Sequence, residues 1–199
     1  MSGAKFYNKW DAAGVEVVDL GLQSYINIAP VVVPKTGARY AKNRFHKSKI
    51  SIVERFVNRI MVPGHKGKKH HQSSGSKTGK SATVLKIMEK TLTIIEEKTK
   101  ANPIAVLVKA IENAAPREEI VTIEYGGARY PKAVECAPQR RIDLAIRAMT
   151  QGSAQKAFKS RKTIEAALAD EIIAAHGLSQ NSISVSKKYD LERQADSSR

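Results

Sequence analysis

The sequence predicts a mainly α-helical protein, a bundle of five to six helices with a protruding two-stranded β-hairpin and an extended basic N-terminal arm. Several segments repeat apolar residues at helical spacing. The stretch around 119–137 instead alternates apolar and polar residues about Gly126-Gly127, which is typical of two strands joined by a tight turn. An apolar share of 42% is enough for one core. We therefore expect a single helical domain over residues 35–199, preceded by an N-terminal extension over residues 1–34.

The extension mixes apolar and polar residues without a clear helical or strand period, so we expect it to have little stability of its own. Val31 to Val33 are predicted to form a short edge strand that ends at Pro34. A polar loop rich in Gly, Ser, Lys and His, about 63–81, is predicted to be flexible. A short helical turn is expected at 153–158. The predicted helices are 50–61, 82–98, 103–115, 138–149, 163–176 and 185–194.

Proline, asparagine and glycine set the predicted helix ends. Asn102 is a natural N-cap and Pro103 fits a first helical position that lacks a backbone donor. Gly177 is expected as a C-cap. The hairpin is too long to bury both faces between two helices, so its tip should project. Arg129 and Lys132 make that tip a basic finger, which suits a polyanion better than it suits catalysis.

The charge of the chain is +15, from 34 basic and 19 acidic residues. It is uneven, because residues 35–80 carry +12 and residues 129–162 carry +7. This imbalance favours a nucleic acid as partner, ahead of an anionic membrane surface. The single cysteine, Cys136, excludes an internal disulfide and is expected to be a small buried hydrophobic residue. No membrane span or signal peptide is visible, so we expect no membrane partner and a reducing, aqueous compartment, the cytosol.

Two patterns resemble chemical sites and are disfavoured. GSKTGKS at residues 75–81 ends like a phosphate-binding loop, but three residues rather than four separate its glycines and no buried strand precedes it. His65, His70 and His71 lie among lysines without nearby cysteines or carboxylates, so we expect at most incidental metal binding. Without a catalytic set, the sequence predicts no enzyme, no cofactor and no small-molecule substrate.

Basic and aromatic residues alternate after residue 35. Arginine and lysine supply phosphate contacts, and Tyr40 and Phe45 can stack on bases; the alternative is a solvated charged face. Two more basic groups, Arg140-Arg141 and KSRK at 159–162, lie at element junctions, from which long side chains can spread over a phosphate backbone.

The sequence also resembles a known family. The segments that carry the resemblance are IVERFVNRIM, Gly67-Lys68-Lys69, ANPIAVLVKAIENAAPRE and APQRRIDLAIRAM…AFKSRKTIEAALADEIIAA. They are similar to the universal small-subunit ribosomal protein that is numbered seven in bacteria and five in eukaryotes. The ending YDLERQADSSR resembles the archaeal and eukaryotic branch. The resemblance covers roughly residues 35–199 and implies binding to the three-prime major domain of small-subunit ribosomal RNA (rRNA), support of head assembly, and neighbouring ribosomal proteins as partners.

Charge and resemblance together assign two groups of residues. The hairpin is implied to lie near messenger RNA and exit-site transfer RNA, through Tyr125, Gly126, Gly127, Arg129, Tyr130 and Lys132. The residues expected to contact rRNA are Arg39, Lys42, Arg44, Lys47, Lys49, Arg55, Arg59, Lys66, Lys68, Lys69, Arg140, Arg141, Lys156, Lys159, Arg161 and Lys162. The implied location is the cytoplasmic ribosome, with nucleolar passage if the source is eukaryotic. The alternative is a free-standing RNA- or DNA-binding regulator.

Overall fold

Helix α5 (Pro103–Ala114) lies at the centre of the fold, and nine of its twelve residues are buried. The computed structural model describes residues 4–64 and 75–199. Asn102 Oδ1 accepts the Ile104 N–H at 3.0 Å and Pro103 occupies the first turn, which confirms the predicted start of this helix. The other elements are α1 (Leu20–Gln23), α2 (His46–Lys49), α3 (Ile52–Met61), α4 (Ser81–Thr99), β1 (Glu118–Tyr125), β2 (Ala128–Glu135), α6 (Pro138–Ala157), α7 (Ile164–His176) and α8 (Ile183–Asp196).

Six of the described helices have ten or more residues, and they form the bundle that the apolar periodicity predicts. Helix α7 packs against α4, α5 and α6, while α3 packs against α4 and α6. Aliphatic side chains dominate the fully buried positions, including Leu92, Leu107, Ile111 and Ile142. Residues 4–64 and 75–199 contain no helix that is both long enough and apolar enough to span a bilayer.

The hairpin is confirmed, with Glu118 opposite Glu135 and Tyr125 opposite Ala128. Gly126 and Gly127 both have positive φ, 58° and 81°, as a two-residue turn between twisted strands requires. Every residue from 121 to 132 is exposed, so the tip projects as predicted. Only the base of the hairpin packs on the bundle, chiefly against α8.

Residues 4–30 are tied to the bundle more firmly than the sequence suggested. Phe6, Trp10, Leu22 and Ile26 are buried in the main core cluster, and the Trp10 indole donates to Glu96 at 2.9 Å. Burying one large apolar side chain contributes roughly 1.5–3 kcal/mol. The segment therefore takes its stability from the core rather than from its own elements. Val31 to Val33 form no strand, so that prediction is wrong.

Helix α6 continues well past its predicted end at residue 149. The separate turn expected at 153–158 is instead its last part, because Gly152 does not break the helix. A Cβ atom at Gly152 would lie 3.0 Å from Ile183, so the missing side chain lets α8 approach closely. Ser153 returns its hydroxyl to the Met149 carbonyl at 2.6 Å, which keeps the polar group satisfied inside the helix.

Candidate nucleic-acid interface

Residues 35–49, here called the arm, are tied to the bundle at both ends. The buried Glu54 carboxylate of α3 accepts the Thr36 N–H at 2.8 Å and the Thr36 hydroxyl at 2.6 Å. At the other end, Lys47 Nζ lies 2.9 Å from Asp143 of α6. These contacts hold the arm across α3 and α6, so its exposed side chains start from a fixed backbone.

Besides Lys47, five cations of the arm face solvent: Lys35, Arg39, Lys42, Arg44 and Lys49. None of them forms an ion pair with any of the described residues. Arg39 Nε donates to the Thr36 carbonyl at 3.1 Å, a contact that leaves its charge uncompensated. These side chains are available to phosphates, because no internal carboxylate competes for them.

Two aromatic rings lie among these cations. Tyr40 is 50% exposed and Phe45 is 49% exposed. The Arg44 guanidinium lies 5.0 Å from the centre of the Phe45 ring, and Tyr25 supports that ring edge-on at 6.5 Å. Exposed rings beside unpaired cations suit unstacked bases joined by phosphates, which is the usual form of sequence-specific RNA recognition.

Two arginines of α3 assigned to rRNA by sequence are engaged inside the protein. The Arg55 side chain is 5% exposed and contacts Asp143 at 2.9 Å and the Tyr25 carbonyl at 3.2 Å. Arg59 is half-buried and donates to the Pro63 carbonyl at 3.3 Å. Burial, and then the nearby Arg147 charge, lower the pKa of Arg59. Arg55 therefore serves the fold, whereas Arg59 forms no ion pair among the described residues.

Asp143 of α6 pairs with both Lys47 of the arm and Arg55 of α3. Burial alone acts to raise its pKa, but hydrogen bonds and charges from Lys47 and Arg55 outweigh burial and hold the pKa below its usual range. The carboxylate is thus ionised at neutral pH and shared by both cations. This sharing removes Lys47 from the set of freely available cations.

The second basic group, residues 156–162, differs from the arm because acids of α7 occupy two of its lysines. Lys156 Nζ lies 2.9 Å from the fully buried Glu171, and Lys162 pairs with Asp170. Asp170 also accepts from Lys98 at 2.6 Å. Lys159 and Arg161 are exposed without an ion pair among the described residues. Half of the expected phosphate contacts in this group are therefore already engaged.

The pair at the start of α6 is engaged as well. Arg140 Nη2 lies 2.7 Å from Glu119 at the hairpin base, although its side chain stays half-exposed. Arg141 is buried, and it contacts Asp19 at 2.7 Å and the Pro116 carbonyl at 3.0 Å. These arginines join the hairpin and the segment around Asp19 to α6. Arg141 in particular has little surface left for RNA.

The hairpin differs from the expected basic finger. Four glutamates against Arg129 and Lys132 give residues 118–135 a net charge of −2. Arg129 itself lies 3.4 Å from Glu124 across the strands. One face instead presents apolar and aromatic side chains, with Tyr125 and Tyr130 81% and 57% exposed beside Val121 and Ile123. The hairpin therefore offers ring surfaces for stacking more than it offers charge for phosphates.

The remaining predictions divide between the described residues and those outside them. Lys66, Lys68 and Lys69, and the histidines His65, His70 and His71, lie outside the described residues. Gly75–Lys77 form one 3₁₀ turn before α4. Cys136 is buried, which confirms the expected small buried residue, and burial together with Glu119 raises the pKa of its thiol to about 11.

Sequence reasoning missed two cations that the fold brings to the arm. Arg147 is exposed on α6 and Lys35 begins the arm, and both lie beside Arg59 on one cavity. The spacing of Arg140, Asp143 and Arg147 at intervals of three and four places them on one face of the helix, and this signal was present in the sequence.

Comparison with known proteins gives consistent matches over nearly the whole chain. Residues 22–199 match the family described as ribosomal protein S7p/S5e. The small ribosomal subunit protein uS7 of Nanoarchaeum equitans is 52% identical over 195 residues, covering 98% of each chain. The proteins of the same name from Methanothrix thermoacetophila and Methanococcoides burtonii are 45% and 43% identical, over 98% of this chain and 100% and 99% of theirs.

Proposed function

Since the chain belongs to the ribosomal protein S7p/S5e family, we propose that it is a structural constituent of the small ribosomal subunit that binds the subunit's rRNA. The arm carries this proposal. Five exposed cations that have no acidic partner among the described residues stand beside two exposed rings, on a backbone that Glu54 and Asp143 hold in place. An arm ordered in this way loses less conformational entropy on binding than a free basic tail.

The finer proposal places the contact on the three-prime major domain of the rRNA, where the protein supports assembly of the subunit head. The proposed contacts are the cations that form no ion pair among the described residues, namely Lys35, Arg39, Lys42, Arg44, Lys49, Arg59, Arg147, Lys159 and Arg161. Phosphate contacts supply most of the affinity, and RNA shape together with unstacked bases supplies the specificity. Neighbouring ribosomal proteins complete the surroundings of the protein on the cytoplasmic ribosome. The archaeal source of its relatives lends no support to nucleolar passage.

The hairpin is proposed to approach messenger RNA and exit-site transfer RNA. Its projection beyond the bundle supports this role, and so do Tyr125 and Tyr130. With a net charge of −2 on the hairpin, any contact must come from stacking rather than from long-range attraction.

We propose a non-catalytic role. Ser182, Ser184 and Glu171 form a close cluster of hydroxyls and carboxylate, with oxygen distances of 2.8 to 3.1 Å. All three residues are buried, and their hydrogen bonds join α7 to the start of α8. A substrate has no access to this cluster, which stabilises the fold instead.

The test is binding of the purified full-length protein to transcripts of the separate rRNA domains. The protein should bind the three-prime major domain at least about tenfold more tightly than a five-prime domain transcript of equal length. It should also sediment with small subunits after a high-salt wash. Equal affinity for both transcripts, or loss from the subunit in the wash, contradicts the proposal.

A further inference from the structure

A cavity of about 520 Å³ opens where the arm crosses α3 and α6. This volume falls within the usual range for small-molecule sites, about 300–1,000 Å³. Its walls are of two kinds. Lys35, Arg59 and Arg147 bring positive charge. Apolar side chains contribute much of the remainder, namely Ile50, Val57, Met61, Leu85 and Ile146.

Both carboxylates that line the cavity are already engaged. Glu54 is 3% exposed and accepts two hydrogen bonds from Thr36. Asp143 is shared between Lys47 and Arg55, each at 2.9 Å. Among the described residues, neither carboxylate forms an ion pair with Lys35, Arg59 or Arg147. The cavity therefore carries an excess of positive charge that its own acids leave uncompensated.

Arg59 and Arg147 are two like charges that line the same cavity. They approach the same space from α3 and α6, and burial together with the Arg147 charge lowers the pKa of Arg59. Two like charges in a partly desolvated cavity repel each other. A phosphate group between two guanidiniums removes that repulsion, and arginine matches phosphate oxygens with paired hydrogen bonds.

We propose that this cavity takes a single unpaired nucleotide of the rRNA, with its phosphate between Arg59 and Arg147 and its base against Met61 and Leu85. The inference rests on the proposed function and names the form of RNA that this part of the interface accepts. A duplex is too wide for a cavity of this size, whereas an unstacked loop nucleotide presents a charged phosphate and an apolar ring face. Since Glu54 fixes Thr36, the arm-side wall stands before RNA arrives.

The first test compares three variants of the full-length protein on the three-prime major domain transcript. Arg147→Gln should weaken binding about tenfold and reduce the slope of log affinity against log salt by about 0.7, one single-strand phosphate contact. Arg147→Lys should keep the wild-type salt slope but lose a fewfold in affinity, because it lacks the fork. Arg193→Gln removes an exposed arginine of α8 outside the cavity and should stay within about twofold of wild type.

The outcomes separate the two proposals. If the wild-type protein prefers this transcript but Arg147→Gln and Arg193→Gln behave alike, the cavity inference fails and the proposed function stands. If the wild-type protein shows no preference among domains, the proposed function fails and the inference fails with it. Unchanged melting temperatures are expected for all three variants, because positions 147 and 193 are exposed.

A second test asks which nucleotide enters. A photoreactive diazirine side chain at position 61, in place of Met61, should cross-link to one unpaired nucleotide of the transcript. The same group at position 189, in place of the exposed Tyr189 of α8, serves as the control and should not label that nucleotide. Cross-links from position 61 to base-paired residues, or to no RNA in a complex that otherwise forms, overturn the inference.

Discussion

The arm and the 156–162 group are both basic in sequence, yet the fold leaves their charges in different states. Arg39, Lys42, Arg44 and Lys49 in the arm have no acidic partner among the described residues. Lys156 and Lys162 each pair with an acid of α7. The charge that a partner can reach is therefore the charge that the fold leaves unpaired, and a count along the sequence overestimates it. Breaking the ion pairs of the 156–162 group should lower folding stability, whereas removing the unpaired cations of the arm should weaken RNA binding and leave stability unchanged.

The largest expected effect is on folding, at the acid that engages Lys156. Glu171→Ala should lower the free energy of unfolding by about 3 kcal/mol. Loss of the buried carboxylate leaves Lys156 and the Ser182 and Ser184 hydroxyls without their shared acceptor. Urea denaturation measures this change. The neighbouring Asp170→Ala removes two partly exposed ion pairs, with Lys98 and Lys162, and should cost about 1 kcal/mol or less. Equal costs for the two variants contradict the distinction between buried and exposed pairs.

The next effect is on binding, in the arm. Replacing Arg39, Lys42 and Arg44 together by Gln should weaken rRNA binding about a hundredfold at physiological salt and reduce the salt slope by about 2–3. The melting temperature should not fall, because these side chains are exposed and take part in no ion pair among the described residues. Filter binding across a salt series, together with thermal melting, measures both quantities. A drop in affinity below about threefold shows that the arm is not the main contact.

A smaller effect concerns pH and the junction of the arm with α6. The pKa of Asp143 is lowered in the folded protein, so its stabilising contribution is present above the unfolded value, about 3.9, and is lost as the pH falls through the folded value. Asp143→Asn should therefore cost about 1–2 kcal/mol at pH 7, and progressively less as the pH falls below the unfolded value. Urea denaturation at several pH values tests this. A cost that stays constant down to pH 2 contradicts the ionic role of Asp143.

The smallest effect is expected at the hairpin tip. Arg129→Gln should change affinity for the rRNA domain less than about twofold and stability less than about 0.5 kcal/mol, since Arg129 is exposed and paired with Glu124. Tyr125→Ala and Tyr130→Ala should leave binding to the rRNA domain equally unaffected while weakening contact with exit-site transfer RNA in assembled subunits. A large loss of rRNA affinity for Arg129→Gln places the hairpin in the primary rRNA contact after all.

The sequence was sufficient for the fold because each helix carries its own signals. Asn102-Pro103 and the apolar repeat set α5, and two consecutive glycines set the hairpin turn. Contacts between distant segments were not predictable from such local patterns. Trp10 donates to Glu96, 86 residues further along the chain, and Gly152 leaves room for Ile183 of α8 against α6. Long-range packing decides both.

The same limit applies to the interface. The sequence identified which residues carry charge, but not which charges are neutralised within the protein. From the sequence, Arg55 and Arg141 were expected at the basic surface, but the fold pairs them with Asp143 and Asp19. The helical spacing of Arg147 with Asp143 was visible in the sequence, but its position beside Arg59 on one cavity was not. Ion pairs between distant segments depend on three-dimensional distances, which composition and sequence spacing do not contain.

One pair of matched variants tests most directly whether available charge, rather than total charge, binds rRNA. Lys42 and Lys49 of the arm are replaced by Gln in one protein, and Lys156 and Lys162 in the other, so each loses two lysines. The salt slope for the three-prime major domain transcript should fall by about 1.5–2 in the arm variant and by under about 0.5 in the other. Equal reductions in the two proteins would show that affinity follows net charge alone.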